Sequence, residues 1–332
     1  MLMNFLFSLF AIIILILAVI IGVETAGLEF VFGVILPYTA FTIFIVGIII
    51  KVIKWARSPV PFHIPTVAGQ QKSLPWIKSS KLDSPHSTLG VVGRMLLEVL
   101  LFRSLFRNTK AELKEGPVLV YGSSKYLWIF ALAFHWSFLI IILRHFRYFL
   151  EPIPFFVPSL QSLDSFFQIG LPILYISNIV ILAALFFLLF RRVVDPKLKY
   201  FSLSSDYFPL LLIIAIAVTG VLMRYFIKVD IISIKELAIG LFTLNPVVPE
   251  SIGIMFYIHL FLVCVLLAYF PFSKLLHMAG VFLSPTRNQA NNSRMKRHIN
   301  PWNKPVRIHT YEEYEDEFRD KMKAAGLPLD KE

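Results

Sequence analysis

The sequence predicts an all-α integral membrane protein, a bundle of six transmembrane helices. Hydrophobic residues make up 57% of the 332 and charged residues only 16%, which is too apolar for a soluble domain of that length. The apolar residues fall in continuous runs of about 20 rather than alternating, so helices and not strands are the spanning form. A third observation concerns function: four of the eight histidines lie within or at the edge of just two of these runs.

The first run, residues 5–23, is long enough to span. A cleaved signal peptide competes with that reading, but no basic residue precedes the run and its apolar part outlasts a usual signal core, so a retained helix is expected. The exit loop holds Glu24 and Glu29 and no Lys or Arg. The second run, residues 30–53, ends at Lys51, Lys54 and Arg57, which marks that end as cytoplasmic. Residues 57–125 form a long basic interruption whose prolines argue for extended chain at its start. Within it, residues 89–108 are apolar but punctuated by Arg94, Glu98, Arg103 and Arg107. They read as an amphipathic helix at the cytoplasmic interface, with Arg94 and Glu98 one turn apart. A helix within a small soluble subdomain is the other reading.

The third span covers residues 127–149, and the loop after it carries Glu151 and Asp164 but no basic residue, hence faces outside. The fourth, residues 168–190, returns to Arg191, Arg192, Lys197 and Lys199. The fifth, residues 207–226, leads to a mixed-charge outer loop, and the sixth, within residues 251–278, returns to Lys274. Six spans put both termini in the cytoplasm. From residue 285 a basic, Asn-rich stretch and then a charged segment support no core of their own. They read either as a solvated tail or as a segment ordered by a cytoplasmic partner. The net charge of +11 resides in particular loops, so it reports topology and not nucleic-acid binding. One cysteine, Cys264, makes no intrachain disulfide and no iron–sulfur cluster, and no CxxCH attaches a c-type heme.

His259 and His277 are 18 residues apart, which in an unbroken helix is five whole turns, so both imidazoles leave one face about 27 Å apart along the axis. His135 and His145 are ten residues apart, about 15 Å. Ionisable groups at membrane depth mark function by default, and four imidazoles on two apolar helices are what two six-coordinate b hemes need. The alternative is histidines that only hydrogen-bond neighbouring helices. Spans three and six run in opposite directions, so His145 shares a level with His259 and His135 with His277. This gives an outer iron between His145 and His259 and an inner one between His135 and His277. The unequal spacings require the two helices to cross, bend or be offset, and Pro271 supplies a local bend.

Heme propionates seek cations near the membrane faces. Arg144, Arg147 and Arg224 sit at outer ends, where the positive-inside rule does not expect them, and suit propionate or quinone contacts or simple snorkelling. Arg191, Arg192 and Lys274 are inner candidates that also serve as topology determinants. A quinol site needs a proton acceptor, and Asp164, Gln168 and Glu151 are candidates by position, each with a solvated-loop alternative.

The stretch HLFLVCVLLAYFPFSKLLHM resembles the last helix of the gamma subunit of respiratory nitrate reductase, the diheme cytochrome b NarI. The stretch RRVVDPKLKYFSLSSDYFPLLLIIAIAVTG is similar to that family's RR…P…D…LL…TG segment, and His135 with His145 matches its ten-residue spacing. The likeness covers roughly residues 125–285. In that family the late His of the first pair joins the early His of the second. Nitrate-reductase members have five spans and use a lysine in the outer loop after the first pair, whereas no lysine occurs here between Lys125 and Lys197.

The extra N-terminal helix, the long loop and the tail are more similar to the branch represented by DsrM, the cytochrome b subunit of a sulfite-reduction-associated membrane complex, and its counterpart in the heterodisulfide-reductase-like menaquinol-oxidizing enzyme. That resemblance implies two b hemes (protoheme IX), menaquinol as substrate, a role in sulfate or sulfite respiration, and a multi-pass protein of the cell membrane. It also implies a cytoplasmic iron–sulfur partner related to heterodisulfide reductase, and often a multiheme cytochrome c outside. The chain then divides into two N-terminal transmembrane helices (1–56), a basic cytoplasmic loop with an interfacial helix (57–125), a four-helix diheme core (126–284) and a cytoplasmic tail (285–332). Electron flow in the reverse direction, towards quinone, is an alternative that potentials decide. A non-redox transporter or assembly anchor is another, though no internal repeat is visible.

Overall fold

The computed structural model describes residues 2–60, 69–165, 173–295 and 305–331. Six helical segments are long and apolar enough to cross a membrane: Met3–Thr25, Val31–Ala56, Lys125–Phe149, Ile176–Val194, Ser204–Tyr225 and Ile254–Phe272. They comprise α1 (Leu2–Ile20, continued by a π-type turn), α2 (Leu36–Ala56, entered through another π-type turn), α5 (Lys125–Phe149), α7 (Ile176–Val194), α9 (Ser204–Tyr225) and α11 (Ile254–Tyr269). Between and beyond them lie α3 (Thr88–Leu101), α4 (Arg103–Phe106), α6 (Phe156–Asp164), α8 (Pro196–Phe201), α10 (Ile231–Phe242), α12 (His277–Gly280), α13 (Pro285–Asn288) and α14 (Tyr311–Ala324).

α9 is the shared wall of two packing clusters. Its Tyr207, Leu211 and Leu212 meet Ile12 and Val19 of α1 and Tyr257, Ile258 and Leu262 of α11. Its Ile213 meets Ile181 and Leu185 of α7, with Phe134 and Phe138 of α5 beyond. Around the bundle α5 packs on α7, α7 on α9, α9 on α11 and on α1, and α11 on α2. Two polar ends result. Asn4 Nδ2 donates to the Ser202 carbonyl (3.2 Å), and Lys274 Nζ donates to Asp206 Oδ1 (2.7 Å), so the start of α1, the start of α9 and the end of α11 meet at one end. Glu151, Asp164 and Asp230 mark the other. α10 was not foreseen within the mixed-charge loop. Asp230 caps it by accepting from the Ile232 and Ser233 amides, and it packs against α5.

Three local expectations are corrected. Residues 251–278 are not one helix: α11 ends at Tyr269, two 3₁₀ turns follow (Phe270–Phe272 and Lys274–Leu276), and His277 opens the separate short α12. Pro271 cannot donate to an α-helical ladder and its ring crowds the turn before it. The break is pressed against α2 at Gly47, where an added Cβ would stand 2.6 Å from the Pro271 Cβ.

The amphipathic stretch 89–108 is split at Phe102, which takes a left-handed conformation at φ 50°. Its expected Arg94–Glu98 pair is replaced: Glu98 turns to the Ser104 amide (3.1 Å) and hydroxyl across the break. The exposed side chains of Leu89, Val92, Leu96 and Val99 do form the foreseen stripe along α3.

The third correction is a β-hairpin, β1 (Thr109–Lys114) with β2 (Val118–Ser123), in what composition suggested was irregular loop. Gly116 at φ 82° turns it.

The start of the tail docks on the loop, with the Asn291 amide donating to the Pro85 carbonyl (2.7 Å) and α13 lying on α3. Further on, α14 carries a Thr310–Glu313 capping box. The Asp330 and Lys331 amides fold back onto its Glu315.

Candidate functional site

All four membrane histidines are held by Nδ1. That of His135 donates to the Ala131 carbonyl (2.7 Å), that of His145 to the Ile141 carbonyl (2.6 Å) and that of His277 to the Lys274 carbonyl (2.9 Å). A carbonyl only accepts, so the proton is on Nδ1 and Nε2 keeps a free lone pair. His259 differs, because its Nδ1 lies 2.9 Å from Thr219 Oγ1 on α9. That hydroxyl donates within its own helix, to the Ala215 carbonyl (2.8 Å) or the Ile216 carbonyl (3.0 Å), and accepts from the imidazole, which the Ile216 carbonyl also faces. Each ring thus presents the tautomer a metal ligand takes.

The rings of His135 and His277 approach to 6.1 Å between centroids, with planes at 81°. Imidazole–metal bonds of about 2 Å on each side, plus the distance from each ring centre to its nitrogen, sum to a separation of that size. These two histidines would hold one metal between them. His145 and His259 lie within electrostatic range of each other at the opposite end. The His145 side chain is exposed there. α5 and α11 share no extended contact among the described residues, although each packs well on its other neighbours. The donor set and the gap between the two helices fit flat macrocycles standing between them. At the Lys274 end, Phe102 from the α3–α4 break and Phe134 both stand edge-on to His135 at 4.9 Å. Trp128 and Trp136 of α5 donate to the Leu101 (2.7 Å) and Leu100 (3.1 Å) carbonyls, fastening that break to the site.

The remaining candidates divide between the ends. Arg144 is buried and pairs with Asp164 (3.2 Å), donates to Ser177 Oγ and Asn178 Oδ1 (3.1 Å each), and stacks 3.8 Å from the Tyr175 ring. Arg224 stacks on the same ring at 4.2 Å and donates to the Ile173 carbonyl (3.3 Å). The Nε atoms of both arginines are buried without a partner, which suits an anionic group arriving between them. Arg147 rests on Tyr148 (5.7 Å). Asp164 is fully engaged, accepting from the Ser177 amide (2.7 Å) and hydroxyl (2.6 Å) as well as Arg144. Glu151 pairs with Lys235 of α10 and keeps 64% of its side chain exposed. Gln168 lies outside the described residues. At the other end Arg192 reaches Asp206 (3.8 Å) and Ser202 Oγ (3.2 Å), while the buried Nε of Arg191 has no partner.

Thr219, Tyr175, Ser177, Asn178, Tyr225 and Lys235 were not singled out from the sequence. Tyr225 Oη accepts from the Tyr175 amide and from Asn178 Nδ2 (3.0 Å each) and so completes the arginine network. The available signal was polar residues at the edges and in the middle of apolar runs, YISN and VTG, where a hydroxyl or amide must find a partner.

A family model described as nitrate reductase gamma subunit matches residues 106–289. A protein of Archaeoglobus fulgidus named Hdr-like menaquinol oxidoreductase cytochrome b-like subunit is 45% identical over 279 residues, covering 82% of this chain and 83% of that protein. One of the same name from Archaeoglobus profundus is 43% identical over 274 residues, covering 80% and 81%.

Proposed function

Because this chain belongs to the nitrate reductase gamma subunit family, we propose that it is the membrane cytochrome b subunit of a menaquinol oxidoreductase complex. It oxidises menaquinol at the Asp164 end and delivers the electrons to a cytoplasmic iron–sulfur, heterodisulfide-reductase-like subunit in sulfate or sulfite respiration. An outer multiheme cytochrome c and further membrane subunits complete the assembly. The observation that carries this reading is the two-ended arrangement of histidines with free Nε2 atoms, His145 and His259 at one end, His135 and His277 at the other. Bound there, two b hemes supply a one-electron carrier at each end.

The chain's own residues do the rest. Arg144 and Arg224 offer their unpartnered Nε atoms to carboxylates at the Asp164 end, with Arg147 nearby, and Arg191 does so at the Lys274 end with Arg192 beside it. The Lys274 end faces the cytoplasm, since Lys51, Lys54, Arg191 and Arg192 gather there. Menaquinol oxidation releases two protons with its two electrons, so the Asp164 end needs a proton acceptor. Asp164 already accepts three bonds, so its task is to hold Arg144. Glu151, open to water beside Lys235, is the carboxylate free to relay a proton, and Gln168 is the remaining candidate to orient the quinol ring.

The test is a redox-titrated visible spectrum with pyridine hemochrome quantitation on the wild type and on His259→Ala and His277→Ala. Two protoheme IX per chain are expected, each substitution removing or converting one low-spin component. A wild type expressed with heme available and showing no b-type absorption would overturn the reading.

A further inference from the structure

The segment RRVVDPKLKYFSLSSDYFPLLLIIAIAVTG carries no histidine, so ligation leaves its role unexplained. Its helix α9 nevertheless bonds to His259 directly at one end and, through Lys274, reaches His277 indirectly at the other. Towards the Asp164 end, Thr219 accepts from His259 Nδ1 (2.9 Å), and the adjacent Gly220 lets the ring lie against the helix. A Cβ at Gly220 would stand 3.3 Å from His259 Cε1. At the other end, Asp206 accepts from Lys274 Nζ (2.7 Å), and the carbonyl of that same Lys274 accepts from His277 Nδ1 (2.9 Å). Arg192 (3.8 Å) and the Leu203 amide (3.1 Å) fix Asp206 in turn.

We propose that Asp206 and Thr219 are the positioning residues of the site: one helix without a ligand sets the placement of both ligands across the Pro271 break. The physical need is specific to this chain. In an unbroken helix the 18-residue spacing would fix both rings by itself. Here the helix ends at Tyr269, so the backbone no longer transmits the orientation of His259 to His277. Something outside the 254–280 chain must supply the register, and among the described residues α9 is the spanning helix that hydrogen-bonds to both sides of the break. His135 and His145 need no such index, because both lie on the continuous α5 and bond to its own carbonyls.

This inference rests on the cytochrome reading for its redox readout, and the test separates the two. The full chain is prepared as wild type, Thr219→Val, Thr219→Ser and Asp206→Asn, and the two components are assigned with the histidine variants above. Thr219→Val is expected to shift the midpoint of the His259 component upward, since a histidine whose Nδ1–H loses its acceptor is a less basic ligand. The His277 component stays in place and Thr219→Ser restores the wild-type value. Asp206→Asn is expected to shift or broaden only the His277 component. A shift of both components together in either variant, or of neither, overturns the positioning role and leaves the diheme reading intact. Solid-state ¹⁵N spectra of histidine-labelled heme-free chain in lipid give a readout independent of the cofactor. The His259 Nδ1–H signal is expected to change in Thr219→Val, and an unchanged signal overturns the Thr219 arm even if the cytochrome reading fails.

Discussion

The two histidine pairs are built by different means. The His145–His259 end draws its polar support from within the family-matched stretch 106–289: Arg144, Asp164, Ser177, Tyr175, Thr219 and Arg224 interlock there on α5, α6, α7 and α9. The His135–His277 end is a break in a helix, walled by parts that precede that stretch. Gly47 of α2 backs Pro271, Trp55 of α2 covers Gly280, and Phe102 of the loop stands against His135. The first end is thus fixed by buried charge and hydroxyls, and the second by close backbone approach and aromatic contact together with the Lys274–Asp206 pair. The N-terminal helices and the loop therefore act as structural parts of one end and are not appendages to a finished core.

The largest expected effect tests the buried network. Asp164→Ala leaves Arg144, whose side chain is 9% exposed, without its carboxylate, and losing one partner of a buried pair costs about 3–5 kcal/mol. A lower unfolding temperature in detergent is expected, with the His145–His259 component disturbed first. If the other component is disturbed equally, the two ends are not independent.

Next is Gly47→Leu. A side chain there has no room beside Pro271, and overpacking costs about 1–3 kcal/mol. The His277 component is expected to change while the other persists, read from the same optical titration.

Smaller again is Phe102→Ala, which removes the edge contact at 4.9 Å from His135 but keeps a side chain at the left-handed position. An aromatic contact contributes about 0.5–1.5 kcal/mol. Faster reaction of the His135–His277 component with a soluble reductant is the expected consequence.

The smallest effect is a pH dependence in the loop. The Arg103 guanidinium beside Asp83 (2.5 Å), helped by Arg107 and Ser80, holds its carboxyl well below the usual range against the opposing effect of burial. A depressed carboxyl stabilises the folded loop above its ordinary pKa, and that contribution is lost as the pH falls below about 4. Hydrogen exchange within residues 88–106, corrected for its intrinsic pH dependence, is expected to accelerate in the wild type as the pH falls below about 4. In Asp83→Asn it should be fast throughout, and an unaltered pH profile in that variant would remove the clasp from the account.

Much of this was legible in residue order. Each of the six apolar runs coincides with a spanning helix to within a few residues except the sixth, which breaks before His277, and the fourth, whose helix opens at Ile176 and not near residue 168. The sequence LPILY precedes it, and hydropathy does not register where a helix can start. The hairpin and α10 escaped notice because short elements in charged loops carry too little periodicity to separate from irregular chain. The carboxylates were found as residues but not as partners. Asp164 and Glu151 look alike in sequence, yet one is enclosed by Arg144 and Ser177 and the other faces water beside Lys235.

By itself the sequence determined the membrane class, the number of spans and the four histidines, because hydrophobic length and the cost of imidazoles in hydrocarbon are properties of local composition. Only the tertiary structure decided how those histidines are aimed. The chain breaks at Pro271 against Gly47, 224 positions away, and Thr219 and Asp206 of α9 then orient rings on both sides of the break. Hydrogen-bond partners and backbone approach depend on which helices become neighbours, and that is settled only when the bundle closes.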